Sequence, residues 1–164
     1  YTGGFSVYAL RGGATLVHSV DASAKAIELT ERNVNLNFPN DTRHQGFTED
    51  AFKFLEKSEH SYDLVILDPP AFAKHKDAVR NAIKGYTRLN AIAFKKIKKG
   101  GILFTFSCSQ AVDKNQFRLA VFTAAAMSGR HVRILHQLHQ PADHPVNIYH
   151  PEGEYLKGLV LEVE

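Results

Sequence analysis

The stretch Tyr62-Asp63-Leu64-Val65-Ile66-Leu67-Asp68-Pro69-Pro70-Ala71-Phe72 decides the fold. Leu64 to Leu67 is an apolar run without alternation, the pattern of a strand buried on both faces of a parallel sheet. It stops at Asp68 and two prolines. Proline lacks an N–H, fixes its own φ and restricts the residue before it, so Asp68-Pro69-Pro70 reads as a stiff extended tongue. The tongue leaves the carboxyl end of the strand, where ligands bind in open α/β sheets. A rigidly held carboxylate followed by an exposed aromatic, Phe72, suits a planar hydrogen-bonding substrate such as a nucleobase. Set against this is an ordinary strand that ends in an Asp-Pro turn.

Working outward, strand and helix patterns alternate on both sides of the tongue. A glycine turn, Tyr1 to Phe5, precedes a short helical segment through Ala9 and Leu10 that Gly12-Gly13 ends. Ala14 to Val20 reads as a strand terminating at Asp21. Ser23 is the expected N-cap of a helix whose inner stripe is Ile27, Thr30, Val34 and Phe38. Arg43 to Phe47 reads as a strand ending at Glu49-Asp50, and a helix to about Ser58 carries Phe52 and Leu55 inward. Beyond the tongue, Lys74 to Lys99 is the most basic stretch, part loop and then a helix from about Gly85 to Lys98. Gly100-Gly101 turns into the strand Ile102 to Phe106, which ends at Ser107-Cys108-Ser109. Asp113 and Gln116 form a capping box, Phe117, Ala120, Val121 and Ala124 the buried stripe, and Gly129 the stop. His131 to Gln140 and Gly158 to Glu164 read as closing strands around an irregular loop. The alternation predicts an α/β fold, a doubly wound, mostly parallel sheet with an antiparallel C-terminal strand pair.

The size of the chain, 164 residues, suits one domain with a proper core. Hydrophobic residues at 44% and charged residues at 23% are ordinary for a globular protein. No apolar run reaches the length of a membrane span, and no signal-peptide pattern is present. The one cysteine, Cys108, rules out an internal disulfide and suits a reducing cytoplasm. A net charge of +3 is compatible with a nucleic-acid partner and too mild to demand one. The nine histidines form no metal-ligand spacing, so no metal is expected.

The glycine turn, Asp21, Asp50, Asp68 and Cys108 all fall at or just past strand carboxyl ends, which parallel pairing brings to one edge of the sheet. Gly3-Gly4 lets backbone approach a ligand, although a second spaced glycine of the dinucleotide fingerprint is missing. Asp21 stands where a carboxylate grips the ribose hydroxyls of a nucleotide-like cofactor; otherwise it caps the next helix. Asp50 could accept an adenine amine, with Phe52 or Ala22 against the ring, or serve as an N-cap. Cys108 lies between two serines where strand meets loop, placed for a nucleophile if the thiolate is favoured there. A solitary cysteine is also an ordinary small core residue.

Four motifs then carry a resemblance: Tyr1-Thr2-Gly3-Gly4-Phe5, Asp68-Pro69-Pro70-Ala71-Phe72, Phe106-Ser107-Cys108-Ser109, and Pro151-Glu152-Gly153-Glu154-Tyr155-Leu156-Lys157-Gly158. Together with Lys84-Gly85-Tyr86 and Ala142-Asp143-His144-Pro145, they make the chain resemble the catalytic domain of bacterial large-subunit rRNA 5-methylcytosine methyltransferases. These have the Rossmann-like fold of class I S-adenosylmethionine-dependent enzymes. The resemblance runs over essentially the whole chain. It implies that Tyr1, Thr2, Gly3, Gly4 and Phe5 hold the methionine end of S-adenosylmethionine. Asp21, with Ala22 and Ser23, would bind the ribose, and Asp50, with Ala51, the adenine. Asp68 would face both methyl donor and base, with Pro69, Pro70 and Phe72 on the substrate side. Cys108 would add to C6 of cytosine and Asp68 would stabilise the charge that forms.

Two departures accompany this. Some relatives carry lysine where this chain has Ala71. The family also has a central strand and an acid before the position of Tyr1, and N-terminal RNA-binding modules, so the chain reads as an N-terminally truncated catalytic domain. A sheet lacking that strand leaves backbone groups unpaired on both neighbours. Residues 1–164 alone are therefore expected neither to fold stably nor to methylate RNA.

Three functions follow in order: C5 methylation of a cytosine in ribosomal RNA through Cys108, exocyclic-amine methylation by the Asp68 tongue without covalent catalysis, and a non-catalytic RNA- or nucleotide-binding module. Unstacked bases would be the target, because A-form duplex hides base edges. The expected partner is ribosomal RNA, with no membrane and no metal, in the cytoplasm, and a homodimer is left open.

Overall fold

A computed structural model describes residues 2–73 and 75–164. Tyr1, part of the expected cofactor turn, and Lys74, the first residue of the basic stretch, lie outside the described residues. The chain divides into two compact units, residues 1–58 and 59–164.

The first unit runs α1 (Gly4–Arg11), β1 (Val17–Asp21), α2 (Ala24–Asn37), β2 (His44–Thr48) and α3 (Ala51–Lys57). β1 and β2 pair in parallel, from Val17 opposite His44 to Asp21 opposite Thr48. Ser23 caps α2 as expected, its side chain accepting from the Ala26 N–H at 3.3 Å. Ile27, Thr30 and Val34 are buried, whereas Phe38 leaves the helical conformation as the C-cap. Gly46 has no side chain because α2 lies on it; a Cβ there would come 2.8 Å from the Ile27 methyl. Arg43 joins the end of α1 to the start of β2. Its guanidinium donates to the Ala14 carbonyl at 2.9 Å and pairs with Asp41.

The second unit runs β3 (Tyr62–Leu67), a 3-10 turn (Lys76–Ala78), α4 (Val79–Lys96), β4 (Ile97–Ser107), α5 (Lys114–Ser128), β5 (Val132–Leu138), a second 3-10 turn (Pro151–Gly153) and β6 (Lys157–Val163). The strand order is β3-β4-β6-β5. β3 and β4 are parallel, and β6 is antiparallel to both β4 and β5. The closing antiparallel pair is thus present, with β6 inserted between β4 and β5. α4 and α5 pack on each other, and the core of the unit holds Tyr86, Phe94, Leu103, Phe117, Leu161 and Val163, each at most 1% exposed. Side chains of this kind contribute about 1.5–3 kcal/mol each on burial. The Asp113–Gln116 capping box closes reciprocally, and Gly129 ends α5 with φ of 70°.

Three expectations are corrected. β3 is not buried on both faces: Leu67 is buried, but Leu64 is 47% exposed and Asp63 is exposed. Its only pairing among the described residues is with β4, so it is the end strand of its sheet. α4 begins at Val79, before Gly85. Glycine disfavours a helix interior, but here the ring of Phe72 occupies the space of the missing side chain, 3.0 Å from where a Cβ would stand. β4 begins at Ile97, with Gly100 at φ of 77° inside an irregularity: Tyr62 faces Ile97, while Leu64 faces Ile102.

Among the described residues no helix is long and apolar enough to cross a membrane.

Candidate functional site

In the first unit, the acids at the strand ends lie side by side. Asp21 ends β1 opposite Thr48, and Asp50 follows β2 two residues later. Each carboxylate has one oxygen engaged locally. Asp21 Oδ1 accepts from the Ser23 N–H at 2.8 Å, and Asp50 Oδ1 accepts from the Lys53 N–H at 3.1 Å as the N-cap of α3. The capping roles are therefore real, and each leaves a second oxygen. Ala22, Ser23 and Ala51 are exposed around them. Among the described residues neither second oxygen has a hydrogen-bond partner, and two such carboxylates offer acceptors of the kind that hydroxyl and amine donors take.

Gly3 is required twice over. It caps α1 at φ of 81°, and a Cβ would stand 2.7 Å from the Thr30 methyl. The Thr2 carbonyl accepts from Asn33 Nδ2 at 2.9 Å, which anchors the turn to α2. Gly4 and Phe5 are exposed at the start of α1, where backbone N–H groups lack helical partners. A groove of about 420 Å³ between α2 and β2, lined in part by Glu31, Asp41, His44 and Gly46, contains none of the expected site residues.

In the second unit, the tongue and the cysteine loop are joined. Leu67 pairs with Thr105, so parallel pairing sends both chains out at the same end of the sheet. Asp68 and Pro70 are exposed there, and Pro69 is half-buried. Ser109, fully buried, donates its hydroxyl to the Ala73 carbonyl at 2.5 Å. Ser107 donates to the Tyr86 hydroxyl at 2.9 Å and accepts from the Ser109 N–H at 3.3 Å. Cys108 stands between these two buried serines and is itself partly exposed. Ser107 closes β4, and the Ser109 N–H folds back onto its hydroxyl, so both serines are buried and Cys108 between them is left partly exposed.

Phe72 is not the freely exposed aromatic of the sequence reading. It is half-buried, with its ring 4.7 Å from that of Tyr86 and against Gly85. Tyr86 is fully buried and also meets Phe117 edge-on at 5.3 Å. Burial raises the pKa of its phenol, while hydrogen bonds to Ser107 and to the Phe72 backbone act in the opposite direction. The tyrosine thus stays protonated and braces both the tongue and the cysteine loop.

Lys157 is a residue to which sequence reasoning assigned no role. It opens β6 opposite Ser107 and is 7% exposed, with its ammonium donating to the Ser109 carbonyl at 2.6 Å and the Val112 carbonyl at 2.7 Å. Burial lowers its pKa, and the charges of Cys108 and Asp113 raise it. The available signal was a lysine just ahead of the apolar run Leu159 to Leu161.

The chain is 42% identical over 165 residues to ribosomal RNA large subunit methyltransferase I of Aeromonas salmonicida, and 44% identical over 165 residues to the protein of that name from Tolumonas auensis. Each alignment covers 98% of this chain, which spans 41% of the length of either relative. Among solved structures, SMU.776 complexed with SAH superposes with a TM-score of 0.83 at 26% identity, covering 99% of this chain and 43% of that one. TrmN from Thermus thermophilus shares the fold, with a TM-score of 0.67 at 16% identity over 100% of this chain and 42% of that one. Residues 1–153 match the S-adenosylmethionine-dependent methyltransferase family, and with its strand-end carboxylates, α/β architecture and these relatives the chain belongs to that family.

Proposed function

We propose that the complete protein transfers a methyl group from S-adenosylmethionine to C5 of a cytosine in ribosomal RNA, through a covalent adduct of Cys108 at C6. One observation carries the reading: the partly exposed Cys108 sits between two buried, hydrogen-bonded serines whose loop is tied to the Asp68 tongue. Such a support holds a nucleophile in one orientation, which is where much of the catalytic advantage of an enzyme lies.

Asp21 and Asp50 would hold the ribose and adenine of the cofactor through the oxygens left free by their caps, with Gly3, Gly4 and Phe5 at its methionine end. Bound S-adenosylmethionine supplies an electrophilic methyl group on its sulfonium. The Cys108 thiolate forms a bond to C6, and the displaced π electrons make C5 nucleophilic. A proton at N3, held by Asp68, neutralises the negative charge that the thiolate brings to the adduct. C5 takes the methyl group as the sulfonium becomes a neutral thioether. A general base takes up the C5 proton, and the electrons of that C–H bond return to the C5–C6 bond and expel the thiolate. The names of the relatives support ribosomal RNA as the substrate class.

Amine methylation would use Phe72 as a stacking platform for the base, yet one face of that ring already packs on Tyr86. This favours the covalent route. The test is the complete protein with RNA containing 5-fluorocytosine, which cannot lose a proton from C5. A protein–RNA adduct mapping to Cys108 and abolished by Cys108→Ala is expected. Methyl transfer retained by Cys108→Ala would overturn the covalent mechanism.

A further inference from the structure

A buried ammonium spent on two backbone carbonyls needs an explanation. Carrying a charged side chain into a protein interior is costly, and an apolar residue would serve β6 better unless the cation has a task. The Lys157 side chain reaches from the first position of β6 across to the loop after β4, and bonds the carbonyls of Ser109 and Val112 on the far side of Cys108. Ser107, on the near side, is held by Tyr86. The loop is therefore gripped on both sides of the sulfur-bearing residue, once by α4 and once by β6. Around the grip stand the charged Asp113 and Lys114 at the start of α5 and the Cys108 side chain, and Lys114 pairs with Glu154.

We infer that Lys157 is the positioning residue of the Cys108 loop, setting the approach of the sulfur to C6 of the base by clamping the Ser109 and Val112 carbonyls. The inference rests on Cys108 as the nucleophile. An ammonium suits the task because it offers three donors and no acceptor, so it can bridge two carbonyls at once. A hydrogen bond from a charged donor is also stronger than one from a neutral group. Lys157 touches neither cofactor nor base in this role, and its effect passes through the loop.

The experiment compares the complete protein with Lys157→Met, Lys157→Arg and Lys157→Gln variants, using RNA that contains 5-fluorocytosine. The rate of Cys108 adduct formation at saturating RNA and cofactor is read beside the KM for each. Methionine replaces all of the lysine chain except its terminal nitrogen and has no donor, and misplacement of the nucleophile is expected to slow the adduct by about tenfold to a hundredfold. Both KM values should stay within about twofold, and arginine, which keeps charge and donors, should recover a large part of the rate. A Lys157→Met rate within about twofold of the parent, in a protein whose wild type is trapped, overturns the inference and leaves the Cys108 mechanism standing. Absence of a trapped adduct in the wild type overturns the mechanism, and the inference with it. Should Lys157→Met fail to fold, the glutamine variant decides. Its side chain keeps N–H donors but is one atom shorter, so a slowed adduct that arginine does not show supports the clamp, and a parental rate overturns it.

Discussion

Ser109 donates its hydroxyl to the carbonyl of Ala73 across 36 residues of sequence, at 2.5 Å and with both residues buried. This bond makes one structure of the proline tongue and the cysteine loop. Removing the hydroxyl in Ser109→Ala leaves the Ala73 carbonyl buried without this donor, at a cost of about 1–3 kcal/mol. Urea unfolding of the complete protein should show that loss. The turnover number should fall by about tenfold or more as the loop loosens. Unchanged stability together with unchanged turnover would show that the tie is dispensable.

Tyr86→Phe tests the other brace. The ring and its packing on Phe72 and Phe117 remain, while the oxygen that accepts from Ser107 is removed. A buried hydroxyl donor is then stranded, so a destabilisation of about 1–2 kcal/mol is expected. Thermal unfolding measures it. A midpoint equal to that of the parent would mean that Ser107 finds another acceptor.

Asp21→Asn separates the two uses of that side chain. The amide oxygen can still accept from the Ser23 N–H, so α2 keeps its entry geometry. What is lost is the charged acceptor for the ribose hydroxyls, and the Kd for S-adenosylmethionine should rise about tenfold, equivalent to ~1.4 kcal/mol. Calorimetric titration of the complete protein gives that value directly, and a Kd within about twofold of the parent would remove Asp21 from the cofactor site.

His44 supplies a pH dependence. Burial holds its pKa below the ordinary 6.5, with the nearby Glu31 carboxylate partly opposing the shift, and Ser19 Oγ lies 2.8 Å from Nε2. The unfolded chain therefore takes up a proton at a higher pH than the folded one. The stabilisation from neutral His44 is present above 6.5 and is lost as the pH falls through the lowered folded value. Urea midpoints should drop between pH 7.5 and pH 5.5, values chosen to lie about one unit either side of the imidazole range. His44→Gln should show a smaller drop, and an equal drop in both proteins would exclude His44 as a source.

Features set by near neighbours in the chain were legible in the sequence. Ser23, the Asp113–Gln116 box and Gly129 act within a turn of their own position, and each caps the helix expected of it. The strand endings at Asp21 and Asp68, and the position of Cys108 just past a strand, follow from the same local periodicity. Burial and pairing were decided elsewhere. Leu64 to Leu67 has the composition of a strand covered on both faces, yet its exposure depends on which strands lie beside it, and among the described residues only β4 pairs with it. Phe72 reads as an exposed aromatic following the rigid carboxylate, and only the packing of α4 places a bare glycine and a tyrosine beneath its ring. Lys157 needed the antiparallel register of β6 on β4 to meet the loop of Ser109 and Val112. The tongue was thus readable as a rigid carboxylate from its prolines. What it is fastened to is a long-range matter, since hydrogen bonds and packing between distant segments leave no mark in local sequence.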